Sequence, residues 1–122
     1  MSQIIESDAT IKVTQGDSFY FPFYDIPHDK DYLLSVGIFD SNRNFMFELS
    51  ERTEHKRTLR IEVPKTLSDL LTVFKSYKFQ TYYYGAKLSD PETGQEDTCT
   101  VNNKDYGSLN RLIVYPKQSE GL

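Results

Sequence analysis

The sequence is poor in the residues that most often carry chemistry. It holds one cysteine, Cys99, two histidines, His28 and His55, and no tryptophan. A single thiol excludes an internal disulfide and gives no basis for a thiolate metal site. Long apolar runs are also missing: none approaches the roughly 20 residues that span a bilayer as a helix. The opening "MSQIIESDATIKV" has neither a basic n-region nor an apolar h-region, so no signal peptide is expected and the chain reads as soluble and made in the cytoplasm. Positive charge is scarce as well. Fourteen Lys and Arg against eighteen Asp and Glu leave a net charge of −4, with no basic block longer than His55-Lys56-Arg57. Without a positive field to displace counterions, nucleic-acid binding is not expected.

What is present is alternation. At 122 residues, 38% hydrophobic and 26% charged, the chain has the composition of one globular domain, residues 1–122. A domain of this size buries about two-thirds of its unfolded surface. Ile11 and Val13 in "ATIKVTQ", then Phe19, Phe21 and Phe23 in "SFYFPFYDI", repeat with the period of two that marks a half-buried strand. Pro22 cannot donate to a ladder and places its strand at an edge or a bulge. Leu34, Val36 and Ile38 and then Phe45, Phe47 and Leu49 flank the turn "SNRN" and predict a hairpin. Leu59, Ile61 and Val63 form the cleanest alternation, which Pro64 ends. Leu67, Leu70, Leu71 and Phe74 switch to helical spacing and predict one short helix near residues 66–75. A tyrosine strand, "DTCTV" and "LNRLIVYP" complete about eight short antiparallel strands, the pattern of a β-sandwich or small barrel. The ordered core is expected over about 9–116, with a flexible tail at 117–122.

The tyrosine triplet cannot be one platform, because successive strand side chains point to opposite faces. Tyr82 and Tyr84 are in register with Ala86 and Leu88 and are expected inside, with their hydroxyls tied at the rim. Tyr83 is expected outside. The alternation also leaves Tyr20, Tyr24 and Phe39 outside, and with Tyr83 these are the candidate interface residues; several of them on one edge would mark a contact surface. Asp25, His28, Asp29 and Asp31 in "DIPHDKD" form the one local cluster a metal could use, yet they read as turn chemistry. Cys99 alternates with Val101 as a small buried residue rather than a nucleophile. The loop "DPETGQED" reads as a hairpin turn, since its acids lack calcium-loop spacing. No catalytic residue, metal site or cofactor is expected, and no small-molecule ligand.

Several stretches together resemble an immunoglobulin-like β-sandwich module of phage and prophage tails, baseplates and appendages. "VTQGDSFYFPF" at 13–23 is similar to the glycine-aspartate-hydroxyl opening of such modules. "YLLSVGIFD", "LRIEVPKTLSDLL", "KFQTYYYGAKLSDPETGQEDT" and "LIVYP" follow in the matching order and cover most of residues 9–116. The resemblance implies an immunoglobulin-like fold and a non-enzymatic virion structural or assembly role. It implies other virion proteins, or further copies of the chain, as partners, and no catalytic site. Two other readings rest on residues alone: a carbohydrate-binding module using Tyr20, Tyr24 and Tyr83, and a small metal-dependent protein using His28.

Overall fold

The structure is a computed structural model that describes residues 3–90, 92, 96–98 and 109–117. In chain order it contains β1 (Ile4–Ile5), β2 (Ile11–Thr14), β3 (Phe19–Phe23), β4 (Leu33–Phe39) and β5 (Phe45–Arg52). After these come β6 (Leu59–Val63), α1 (Lys65–Ser68), β7 (Gln80–Ser89), β8 (Glu96–Thr98) and β9 (Asn110–Tyr115). One sheet has seven strands in the order β1-β2-β9-β7-β4-β5, with β8 pairing β7 off that path; the second consists of β3 and β6 alone. The fold is all-β and sandwich-like, as the alternation led us to expect.

Alternation decides which residues enter the core. Ile11, Val13, Leu34, Val36, Ile38, Leu112 and Val114 from the large sheet are 2% exposed or less. Phe19, Phe21, Ile61 and Val63 from the small sheet face them at 3% or less. Phe21 joins the layers through rings, lying 5.5 Å from Phe19 and 4.7 Å from Tyr84 between centroids.

Pro22 sits where it costs no ladder bond. It pairs with Arg60 two residues beyond Tyr20, whose pair is Glu62. The Tyr20 backbone turns its N–H and C=O away from β6, toward the Gln3 side chain: Gln3 Nε2 donates to the Tyr20 carbonyl at 2.8 Å and Gln3 Oε1 accepts from the Tyr20 N–H at 2.7 Å. A carboxamide thus stands in for a neighbouring strand. Pro22 shares that orientation, so its missing N–H would have pointed at the same open edge.

Four expectations need correction. The pairing is not wholly antiparallel, because β2 runs parallel to β9 from Ile11↔Leu112 to Thr14↔Tyr115. No local signal encodes the partnership of an early strand with a late one. Order begins before residue 9: Ile4 and Ile5 pair with Lys12 and Ile11, a strand too short to show a period. The helix is one turn, Lys65–Ser68, not a two-turn element over 66–75. Its backbone tightens to i→i−3 bonds at Leu70 and Leu71, and of the helical-face residues Leu71 is buried while Leu70 and Phe74 are 53% and 69% exposed. Finally, Phe39 is buried at 7% exposure. It does point to the outer face, but at a register shift after Ile38 it meets the Phe45 ring at 5.7 Å and pairs with Tyr83. The expected tail at 117–122 and strand residues 99–101 lie outside the described residues, apart from Lys117.

The short helix is anchored by its contacts with the β2–β3 turn. Buried Ser68 Oγ accepts the Gly16 N–H at 3.0 Å, and Gln15 Nε2 donates to the Asp69 carbonyl at 2.9 Å. Gly16 has φ +85°, and a Cβ there would come within 2.8 Å of both Asp69 Oδ1 and Lys117 Cε, whose side chains form an ion pair at 2.7 Å. Gly16→Ala is therefore expected to lose about 1–3 kcal/mol from backbone conformation and displacement of that pair. A lower urea midpoint at unchanged m would show it, and an unchanged midpoint would contradict it.

Candidate functional site

The structure divides the candidate interface residues between opposite outer faces, with Phe39 beside Tyr83 on the large sheet and Tyr20 on the small one. Tyr20 lies on the outer face of the small sheet, half-buried, with the Arg60 guanidinium 4.5 Å from its ring centroid. Tyr83 lies on the outer face of the large sheet with Arg43 stacked at 4.8 Å. Tyr24 is 72% exposed just beyond β3, and Phe39 is covered. Tyr20 and Tyr83 thus sit on opposite outer faces, each already stacked on a cation. They make no common surface, and no coplanar stacking platform for a sugar.

Tyr82 and Tyr84 occupy the core as expected, at 6% and 8% exposure. The Tyr82 hydroxyl donates to the Thr72 carbonyl at 2.6 Å and the Tyr84 hydroxyl to the Ala9 carbonyl at 2.5 Å. Burial raises the pKa of both phenols, Tyr84 to about 12, with the Asp8 carboxylate adding to the shift. Tyr84 also lines a largely apolar cavity of about 410 Å³ between the sheets. Its lining also includes Pro22, Phe23, Tyr24, Ile26, Ala86 and Leu88. The cavity exists because β3 has no strand on its outer side there.

The acidic loop is committed to structure. Asp31 Oδ2 accepts two bonds from Arg52 at 2.8 and 3.1 Å, and Asp31 Oδ1 accepts the Glu54 N–H at 2.9 Å. These bonds hold its carboxyl below the usual range. Asp29 accepts from the Tyr32 hydroxyl at 2.9 Å. The fold does bring the two histidines together, with His55 Nδ1 3.1 Å from the His28 carbonyl, but through backbone rather than two converging rings. Among the described residues no three His, Cys, Asp or Glu side chains gather as metal ligands. The Asp31 bonds instead fix the β5–β6 turn, where Glu54 and His55 take φ +52° and +60° and Lys56 N–H closes on the Thr53 carbonyl at 2.9 Å.

The surface feature that sequence reasoning missed is the segment between α1 and β7. Leu70, Phe74, Tyr77 and Phe79 are 53%, 69%, 52% and 46% exposed. Phe74 meets Tyr77 edge-on at 5.5 Å, and Phe79 lies 6.1 Å from half-buried Tyr115 at the end of β9. Lys75 and Lys78 are interleaved, exposed and without an ion pair among the described residues. Helical spacing hid this patch, because Leu70 and Phe74 share a period with the buried Leu71. The available signal was the density of apolar side chains after Pro64 without strand alternation.

No protein-family model matches the chain, and no curated protein matches it. Among solved structures it is similar to an uncharacterized protein from Bacillus anthracis str. Ames. That likeness has 15% identity and a TM-score of 0.36, over 87% of this chain and 76% of the other. Among the described residues no helix is long and apolar enough to cross a membrane.

Two outcomes follow from this geometry. A phenol whose pKa is higher in the folded chain than in the unfolded one keeps stability constant below the unfolded value, near 10, and loses it as pH rises toward 12. Tyr84→Phe should flatten that decline and, by removing the bond to Ala9, cost about 1 kcal/mol at neutral pH. Urea titrations at pH 7, 10 and 11.5 read both effects; an unchanged slope would count against the assignment. In the β5–β6 turn, Glu54→Asn with His55→Gly supplies residues suited to two consecutive left-handed positions and should gain about 1 kcal/mol. Thermal melts check it, and a lower Tm would contradict the turn geometry.

Proposed function

We propose that the chain is a non-catalytic building block of a phage or prophage particle, in the tail, baseplate or an appendage, working through protein–protein interfaces. The observation that carries this reading is the aromatic end. Four large apolar side chains within ten residues are each about half exposed or more, whereas isolated domains scatter such residues singly. Aromatic side chains are also the usual anchors of protein interfaces. The sequence likeness to virion modules over residues 9–116 supplies the setting.

The edges of the sandwich bear on how such a block docks. The β3 edge is occupied at Tyr20 by Gln3 and carries Pro22 beyond it, so it offers little to an incoming strand. Docking through side chains at the aromatic end is the better supported route.

The test is incorporation. A tagged chain expressed in a host producing the cognate particles should sediment with them. The Phe74→Asp, Phe79→Asp variant, still folded by circular dichroism because both residues are exposed, should fall at least tenfold in the particle fraction. Equal incorporation of the variant would remove the aromatic end from the mechanism, and absence of the unaltered chain from particles would remove the virion reading.

A further inference from the structure

The cavity beside Tyr84 is more than a gap at a strand edge. Its walls come from both sheets: Ile11 and Leu34 belong to the large sheet and Phe21 to the small one. All three are 1% exposed or less, so this part of the lining is the surface of the core itself. The space is opened by Ala86. Along β7 the inward row runs Tyr82, Tyr84, Ala86, Leu88, and Ala86 is the one small side chain in it. On the ribbon side β3 is a free edge, so no further strand covers the gap.

Two polar side chains line this mainly apolar space without partners of their own. Asn110 opens β9 in register with inward-facing Leu112 and Val114, a carboxamide where alternation calls for an apolar side chain. It is half-buried, and its side chain has no hydrogen-bond partner among the described residues. Asp25 is exposed just beyond β3, and it too has no hydrogen bond or ion pair from its side chain among the described residues. A few convergent polar groups in an apolar pocket are what orient a bound ligand.

Size and charge narrow the class. An apolar cavity of about 150 Å³ is enough for benzene. At about 410 Å³ this one has room for roughly a dozen non-hydrogen atoms. The carboxamide can donate to or accept from a hydroxyl, and the Asp25 carboxylate can accept from one. A carboxylate head would meet Asp25 at like charge.

We infer that this cavity is a binding site for a small neutral amphiphile, an apolar chain or ring of about ten carbons carrying a hydroxyl. The apolar part lies against Ile11, Phe21, Leu34 and Ala86, and the hydroxyl is held by Asn110 and Asp25. The site does not depend on the interface reading, since residues 70–79 contribute nothing to its described lining.

Decanol and decanoate share a chain length and differ in head group. Titrating each into the purified chain at pH 7, followed by amide NMR and thermal melting, tests the inference. Decanol should bind saturably, raise Tm and shift the amides of residues 84–88 and 110 first. Decanoate should bind at least tenfold more weakly. Asp25→Asn keeps a residue suited to the left-handed φ of +55° while removing the charge, so it should narrow that difference at least fivefold. Ala86→Leu fills part of the space and should weaken decanol at least tenfold without lowering the Tm of the ligand-free chain. No saturable binding of decanol by the unaltered chain would overturn the inference. A lower ligand-free Tm for Ala86→Leu would also overturn it, because overpacking would mean that the space is already filled. Decanol binding indifferent to Ala86→Leu would put the site elsewhere, and a head-group preference indifferent to Asp25→Asn would overturn the placement of the hydroxyl.

Discussion

Everything distinctive about this molecule follows from a mismatch of layers. Seven strands form one sheet, and a ribbon of two must cover its inner face. A two-stranded ribbon is too narrow to do so, because strands lie only about 4.8 Å apart. The interior is fully covered where Phe19, Phe21, Ile61 and Val63 press on the large sheet. Beyond the ribbon on either side the apolar layer comes near water. One side holds the cavity that Phe23 and Ile26 help to line, the other the β5–β6 seam with Phe47, Leu49 and Leu59. Leu67 of α1, with Leu71 and Val73 of the segment after it, closes an end and leaves Leu70, Phe74, Tyr77 and Phe79 exposed. The surfaces available for contact are therefore consequences of incomplete coverage, not additions to a finished core.

Polar groups manage the exposed boundaries of that arrangement. Gln3 seals the β3 edge, Ser68 and Gln15 tie the helical turn to the β2–β3 corner, and Asp31 holds the β5–β6 turn. Tyr82 and Tyr84 carry the same logic into the core: each ring packs inside while its hydroxyl reaches a carbonyl of a neighbouring loop. Each bond joins segments distant in sequence, so the loops are fixed by the sandwich and the sandwich is closed by the loops.

Much of this was legible because a strand's period of two is a local property. The alternation at 11–13, 19–23, 34–38 and 59–63 named the core residues, and the triplet at 82–84 divided between faces as its spacing required. Three kinds of feature escaped. Long-range pairing, such as β2 with β9, leaves no trace in either segment. Covering of an outward residue depends on neighbours across the sheet, which is why Phe39 is hidden by Phe45 and Tyr83. Helical spacing between Leu67 and Phe74 was real in sequence but not in space, since the turn tightens after Ser68 and only Leu67 and Leu71 reach the core. The candidate site was missed for that last reason: its residues looked like a buried face.

The parallel β2–β9 pairing has a mechanical consequence. Two parallel neighbours place the start of the first and the finish of the second at opposite ends of their ladder. Tension entering ahead of Ile11 and leaving past Tyr115 would slide these strands lengthwise, loading all four registered residue pairs together instead of peeling them singly. Force applied between those two points would therefore meet shear of the whole ladder rather than its unzipping.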